Sequence, residues 1–191
     1  PTRRSSDLTM MASLLYLGAG LGIGILFLVK KKDMRQKEYL TKTDLPYTLG
    51  MIGLDIIAPI LLMFGLSHTT SANASLLNNF EIVATTIIAL LIFKEMISKR
   101  LWIAIFLVTL SSAILSFQDM SSLHFSWGSL LVIIAAVCWG LENNCTRMIS
   151  DKNTYEIVML KGIFSGLGSM VIALIIGETM PQIMYWSITL L

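Results

Sequence analysis

The sequence contains little charge. Asp, Glu, Lys and Arg make up only 14% of its 191 residues, against about 25% in an average soluble domain. The formal net charge is +2, which excludes the strongly basic surface by which nucleic-acid-binding domains hold phosphate. We therefore expect no nucleic-acid partner.

Cysteine is also rare, and the motifs of common catalytic sites are missing from the sequence. Cys138 and Cys145 lie about two turns apart on one predicted helix, roughly 10 Å along its axis, which is too far for a disulfide. The sequence has no hydrolase triad, zinc ligand set, phosphate loop or haem motif. We expect a protein that is not an enzyme and has no cofactor or bound metal.

Long apolar runs fill most of the chain. Hydrophobic residues make up 55% of it, and the mean hydropathy is +0.75. Runs of about 20 apolar residues are long enough to cross a bilayer. They predict an all-α fold, a polytopic transmembrane helical bundle in contact with lipid. The predicted spans are 9–29, 46–66, 73–93, 98–117, 126–148 and 155–177, with the first half of a seventh at 181–191.

The two ends of the chain differ from those of an intact membrane protein. Residues 1–8, PTRRSSDL, begin without Met and resemble a translated sequencing adaptor, so we expect an artefactual leader. The sequence stops within an apolar run. We therefore expect a fragment of a longer protein.

Positive charge is confined to alternate connections between the predicted spans. The connections after the first, third and fifth spans carry Lys and Arg, whereas the intervening connections carry none. The positive-inside rule makes the basic connections cytoplasmic. We expect a multi-pass protein of the cell (inner or plasma) membrane.

An internal repeat is visible in the first and sixth spans. Residues 17–25, LGAGLGIGI, resemble residues 164–173, FSGLGSMVIA. The charge rule makes these two helices run in opposite directions, so the copies are inverted, as in many secondary transporters. Both helices carry small residues four apart, a spacing that lets helix backbones approach closely. We interpret four of these small residues as helix-packing positions: Gly18, Gly22, Gly162 and Gly166.

Polar residues lie in the middle of the span at 73–93. On a helix, Glu81 shares a face with Asn78 and Thr85, and Asn79 lies in the same polar arc. A charged side chain in hydrocarbon costs about 2.5–3.5 kcal/mol on insertion scales, which makes Glu81 a functional candidate. It would carry a proton or pair with a cationic substrate. A structural hydrogen bond between helices stays the alternative.

Three further ionisable groups lie within predicted spans. Pro59 removes the helical hydrogen bond to the carbonyl of Asp55, which predicts a kink that either lines a cavity or packs within the bundle. Glu142 lies in the inner half of the fifth span and either lines the pathway or packs against other helices. Lys161 lies little more than a turn inside the membrane, so we expect its ammonium to reach the interface.

Two segments carry a family resemblance. Residues 69–117, TTSANASLLNNFEIVATTIIALLIFKEMISKRLWIAIFLVTLSSAILSF, and residues 126–150, SWGSLLVIIAAVCWGLENNCTRMIS, resemble EamA domains of the drug/metabolite transporter superfamily. One departure is Ile82, which stands where family members often have proline. The resemblance implies ten helices in two inverted five-helix repeats. Residues 9–117 would form the first repeat without its first helix, and residues 126–191 the incomplete second repeat.

The same resemblance implies a function. Members of the family transport small metabolites or drugs, so we expect a secondary transporter that works by alternating access around a polar site near the midplane. The pathway residues would be Asp55, Asn78, Asn79, Glu81, Thr85 and Glu142. The identity of the small-molecule substrate, a coupling proton and a homodimer stay open. The alternative is a non-transporting membrane scaffold whose polar residues serve only helix packing.

Overall fold

The computed structural model describes residues 8–29, 38–96, 98–118 and 127–178. All regular structure in these ranges is helical, which confirms the all-α prediction. A short 3₁₀ turn, Lys42–Asp44, precedes the second helix. The α-helices are α1 (Leu8–Val29), α2 (Leu45–Ser67), α3 (Ser71–Asn78), α4 (Phe80–Leu91), α5 (Lys99–Gln118), α6 (Trp127–Met148) and α7 (Thr154–Ile176).

Five of the described segments are long and apolar enough to cross a membrane. They are Thr9–Val29, Lys42–Ser67, Asn73–Leu91, Trp127–Met148 and Thr154–Ile176. This result confirms the prediction of a polytopic helical membrane protein. The predicted fourth span forms the helix α5 but is not among these five, so its crossing stays a prediction. The predicted half-span at 181–191 and the leader up to residue 7 lie outside the described residues.

The predicted third span is not one continuous helix. It consists of α3 and α4, which meet at Asn79. The Asn79 amide donates to the carbonyl of Leu76 at 3.2 Å, and the Ile82 amide donates to the carbonyl of Asn79 at 3.3 Å. These bonds have the tighter i to i+3 spacing of a 3₁₀ turn. The two adjacent asparagines are poor helix formers, and the break occurs without a proline.

The chain divides into two compact units. The first unit combines Pro1–Ile56 with Thr146–Leu191, and the second unit is Ile57–Cys145. The predicted repeats, 9–117 and 126–191, are defined by sequence, and their bounds differ from those of the two compact units. They stay a prediction.

In the first unit, α1 and α7 pack side by side in opposite directions. The amide of Met10, near the start of α1, binds the carboxylate of Glu178, just after the end of α7. Further along, the backbones of Gly20 and Gly162 touch, since a Cβ on Gly162 would lie 2.5 Å from the Gly20 Cα. A Cβ on Gly24 would then meet the side chain of Met159. Residue numbers therefore rise on one helix as they fall on the other.

The glycines at this contact are only partly those that the sequence predicts. Gly162 and Gly166 both lie there, and a Cβ on Gly166 would come within 2.9 Å of the Leu17 amide nitrogen. Among the described residues, a Cβ on Gly18 or Gly22 would meet nothing within 4 Å, so the packing role expected of these two stays a prediction. Small residues line more than one face of α1, and the spacing alone does not say which face meets α7. The glycine that does is Gly20.

The start of α7 is also tied to the segment before α2. The side chain of Asn153 caps α7 by accepting from the amides of Tyr155 and Glu156. The Asn153 amide donates to the Glu38 carbonyl at 2.9 Å, and Lys152 forms an ion pair with the Glu38 carboxylate at 3.0 Å. The hydrogen bonds to the Asn153 side chain and to the Glu38 carbonyl satisfy backbone amides that a helix start leaves without partners.

In the second unit, glycines again mark the closest helix contact. A Cβ on Gly128 would lie 2.6 Å from the Gly65 carbonyl oxygen, so the end of α2 and the start of α6 touch through their backbones. Beside this contact, the buried amide of Asn73 donates to Ser129 Oγ at 2.9 Å and to Thr69 Oγ1 at 3.0 Å. The Ala-Asn-Ala-Ser motif thus fixes the start of α3 against α6.

Candidate functional site

Glu81 lies in the first turn of α4, where its carboxylate meets α6. Asn143 Nδ2 donates to Glu81 Oε1 at 2.9 Å. Glu81 is half-buried and Asn143 is exposed. An acidic side chain at this position also interacts favourably with the positive end of the helix dipole. The carboxylate is therefore held in place while part of it stays accessible.

Thr85 follows Glu81 by one turn and joins the same cluster. Its hydroxyl donates to the Glu81 carbonyl at 2.8 Å, and Asn143 Nδ2 lies 3.4 Å from Thr85 Oγ1. Residues four apart share a helix face, which is why the sequence pattern identified Glu81 and Thr85 together. The structure adds the side chain from α6 that bridges them.

Asn144 holds α6 against α4 from the buried side. Its Nδ2 donates to the Thr85 carbonyl at 2.9 Å and to the Gly140 carbonyl at 2.7 Å, and only 3% of the residue is exposed. A Cβ on Gly140 would lie 2.8 Å from the Thr85 amide nitrogen. The glycine therefore allows the close approach, and Asn144 stabilises it.

Glu142 and Asn143 are adjacent but face different surroundings. Consecutive residues on a helix point about 100° apart. Glu142 is buried, at 2% exposure, whereas Asn143 is exposed and contacts Glu81. The exposed polar side chain of this pair is thus the amide, not the carboxylate that the sequence analysis selected. The role of Glu142 in a pathway stays a prediction.

Asn78 and Asn79 lie at the junction of α3 and α4. The side-chain oxygen of Asn78 is buried and has no hydrogen-bond partner among the described residues. Asn79 is exposed and borders a small cavity of about 10 Å³, lined also by Phe80, Val83, Val108 and Thr109. That volume is close to the space that one water needs. The cavity itself is therefore too small for a metabolite.

Asp55 belongs to the first unit and has its own partners there. It is 1% exposed. Its Oδ1 accepts from the Tyr16 hydroxyl at 3.4 Å, and its Oδ2 lies 3.4 Å from Lys161 Nζ. The expectation that Lys161 reaches the interface is corrected, because its ammonium is directed at Asp55. A carboxylate inside the protein offers the ammonium a fixed opposite charge at that depth.

Sequence reasoning missed the side chains that complete both clusters. Asn143 and Asn144 lie directly after Glu142 and follow a largely apolar run in α6, a pattern from which they could have been identified. Tyr16 gave none, since a single tyrosine in an apolar run is ordinary. Among the described residues, no three His, Cys, Asp or Glu side chains group closely enough to hold a metal ion.

The Glu81 cluster can bind a group that donates hydrogen bonds. A carboxylate accepts about four hydrogen bonds, and among the described residues only Asn143 donates to the side chain of Glu81. The oxygen of the Asn143 amide likewise has no protein donor in the described part of the chain. Two acceptors therefore stay available beside one negative charge, an arrangement suited to an ammonium group or a proton.

Comparison with known proteins identifies a family of membrane transporters. Residues 2–117 match the model of the EamA-like transporter family. The chain is 31% identical over 124 residues to an "Uncharacterized transporter" of Methanothermobacter thermautotrophicus, covering 63% of this chain and 36% of that protein. It is 26% identical over 142 residues to the "Uncharacterized transporter YyaM" of Bacillus subtilis, covering 72% of this chain and 46% of that protein.

The matched region therefore spans less than half of the length of either relative. The family match covers more than half of this chain and includes α1 to α5, with Glu81, Thr85 and Asp55. It confirms the resemblance carried by residues 69–117. The chain belongs to the EamA-like transporter family.

Proposed function

We propose that the protein is a secondary transporter that moves small metabolites or drugs across the cytoplasmic membrane by alternating access. The observation that carries the proposal is the half-buried carboxylate of Glu81 in a segment apolar enough to span the membrane. Asn143 holds this carboxylate from α6 and leaves acceptor sites on it. We propose that Glu81, Thr85 and Asn143 line the substrate path.

The energetic argument concerns the cost of the charge. An ionised side chain at membrane depth costs about 2.5–3.5 kcal/mol on insertion scales. Hydrogen bonds between membrane helices return about 0.6 kcal/mol on average, and a hydrogen bond to a charged group returns about 1.5–3 kcal/mol. The single bond from Asn143 therefore does not fully offset the cost of Glu81. Binding of a cationic substrate or a proton would offset it.

The chemistry of the cluster favours a class of substrate. A carboxylate, a hydroxyl and an amide oxygen together accept several hydrogen bonds and supply one negative charge. Small molecules that carry an ammonium group fit these acceptors, and a proton is the other cation that Glu81 would take up. Asn78, Asn79 and Glu142 are proposed as further pathway residues because they lie close in the chain to this cluster, at the end of α3, at its junction with α4, and in α6.

The contact between α1 and α7 supports the inverted-repeat mechanism. Aligning the Gly-Leu-Gly segments pairs Gly20 with Gly166 and Tyr16 with Gly162. The observed contact of Gly20 with Gly162 then has an equivalent in the contact of Gly166 with Leu17, next to Tyr16. Exchanging the aligned residues of α1 and α7 thus turns one contact approximately into the other, as expected for two helices related by a two-fold axis. We propose that rocking of the two repeats opens the path to either side in turn.

A scaffold without transport activity is the second candidate. Asn144 and Gly140 favour it, because they serve helix packing and their side-chain and backbone groups are buried. In a scaffold, Glu81 would also serve only packing. Replacing its carboxylate by an amide of the same shape would then leave ligand binding unchanged.

A binding experiment separates the two. The protein is expressed from its complete reading frame, and its thermal unfolding is measured with amino acids, nucleosides, sugars and cationic drugs. A ligand at 100 times its Kd raises the free energy of unfolding by about 2.7 kcal/mol. We expect stabilisation by an ammonium-containing compound in the wild type and its loss in Glu81→Gln.

The matched control is Glu38→Gln, which removes an acidic side chain that is 83% exposed and lies in the loop before α2. This variant should keep the ligand response of the wild type. Equal stabilisation of Glu81→Gln and the wild type by the same compound would contradict the proposed role of Glu81.

A further inference from the structure

A second charged cluster lies in the first unit, built from one side chain on each of α1, α2 and α7. Tyr16 OH is 3.4 Å from Asp55 Oδ1, and Lys161 Nζ is 3.4 Å from Asp55 Oδ2. The side chain of Asp55 is 2% exposed and that of Lys161 is 27% exposed. The carboxylate is thus enclosed, and the lysine side chain beside it is partly exposed.

The burial of Asp55 determines what must lie beside it. An ionised carboxylate removed from water is strongly disfavoured unless an opposite charge compensates it. In transport proteins, acidic side chains within membrane helices commonly take up protons or ions from solution. Here a cation that belongs to the chain already occupies that position.

The oxygen atoms of this cluster are also of the kind that a hard metal cation binds. Such cations bind carboxylate, hydroxyl and carbonyl oxygens, and this cluster contains both oxygens of Asp55 and the hydroxyl of Tyr16. An ammonium group and a sodium ion carry the same charge, so either cation can compensate the Asp55 carboxylate.

We propose that Lys161 is the built-in cation of the Asp55 site, holding the position that Na⁺ would otherwise take. Two consequences follow. The wild-type protein needs no Na⁺ for the integrity of this cluster, and removal of the ammonium creates a Na⁺ site at Asp55 and Tyr16. A third consequence rests on the proposed transport function: the transport cycle runs without Na⁺ coupling.

The experiment measures thermal unfolding in NaCl and in equimolar N-methyl-D-glucamine chloride. The protein is expressed from its complete reading frame and purified in NaCl throughout, before exchange. We expect the wild type to unfold at the same temperature in both salts. Lys161→Met and Lys161→Gln should unfold at a lower temperature in N-methyl-D-glucamine and recover about 3–6 °C in NaCl.

Two further variants make the result specific to Asp55. The double variant Asp55→Asn, Lys161→Met has no buried charge to compensate, so it should show no Na⁺ response. Lys152→Met removes a lysine whose partner, Glu38, is 83% exposed. Water already solvates that carboxylate, and this variant should also be insensitive to Na⁺.

Three results would overturn the proposal. The first is stabilisation of the wild type itself by Na⁺ beyond that of Lys152→Met. The second is a Na⁺ response of the double variant as large as that of Lys161→Met. The third is failure of both Lys161→Met and Lys161→Gln to fold, or to respond, in NaCl. None of these measurements needs a substrate, so they can fail while the transporter proposal stands, and the reverse also holds.

Discussion

Gly20 and Gly162 meet backbone to backbone where α1 crosses α7. A Cβ on Gly20 would lie 2.7 Å from the amide nitrogen of Ile163, and one on Gly162 would lie 2.5 Å from the Gly20 Cα. Side-chain Cβ atoms do not approach other atoms this closely. The two helices can therefore keep this contact only while both positions are glycine.

Replacing Gly20 by alanine should destabilise the protein. We expect a loss of about 1–3 kcal/mol, the usual cost of overpacking a filled contact. Gly18→Ala and Gly22→Ala are matched controls in the same helix, because a Cβ at either position meets none of the described residues within 4 Å. Alanine there should be neutral or stabilise by up to about 1 kcal/mol. Thermal unfolding in detergent measures all three, and equal losses would contradict the contact.

The adjacent residues Asn143 and Asn144 should separate binding from stability. Asn144→Ala loses two hydrogen bonds within the buried contact of α4 and α6, and we expect a loss of about 1–3 kcal/mol. Asn143→Ala removes an exposed side chain, so its stability should change by less than about 1 kcal/mol while ligand stabilisation falls. Thermal unfolding with and without ligand measures both effects. A larger loss of stability in Asn143→Ala would contradict the assignment.

Lys94 adopts a backbone conformation that favours glycine. Its φ is +53° just after the end of α4, and the next amide, that of Glu95, donates back to the Ala89 carbonyl at 3.0 Å. We expect Lys94→Gly to raise the free energy of unfolding by about 1 kcal/mol. Lys99→Gly, at the start of α5, should give no such gain. A loss of stability in Lys94→Gly would show that the turn has another conformation.

The ion pair of Lys152 with Glu38 should depend on salt. The hydrogen bond from Lys152 to the Glu38 carboxylate raises the pKa of the ammonium. Because the pKa of Lys152 is raised in the folded protein, the ion pair stabilises the fold fully at neutral pH. This stabilisation is lost as the pH rises above the ordinary lysine range. Lys152→Met should therefore destabilise at pH 7 in low salt and much less in high salt, where exposed pairs are screened. A loss that is the same in both salts would show that packing is responsible.

The helices of this fold follow from the sequence to a large extent. Apolar runs the length of a bilayer predict α1, α2, α6 and α7, because membrane segments must bond their own backbone groups. The junction of α3 and α4 at Asn79 was not predictable in the same way. Asparagine lowers helix propensity by only a few tenths of a kcal/mol, so tertiary contacts decide whether such a pair interrupts a helix.

The site shows the same division between local and distant information. The pairing of Glu81 with Thr85 follows from helical periodicity, which depends on one helix alone. The partners Asn143 and Lys161 lie 62 and 106 residues from Glu81 and Asp55, and periodicity says nothing about which helices meet. For the same reason the spacing of glycines in α1 predicted Gly18 and Gly22, whereas the contact uses Gly20.

The most direct test of the account is transport by the wild type and Glu81→Gln in proteoliposomes. The substrate is the compound that stabilises the purified wild-type protein, and Glu38→Gln serves as the control. We expect uptake by Glu81→Gln to fall at least about tenfold, the effect of losing roughly 1.4 kcal/mol of binding, with Glu38→Gln unchanged. Wild-type uptake by a folded Glu81→Gln protein would contradict the central claim that the Glu81 carboxylate lines the path.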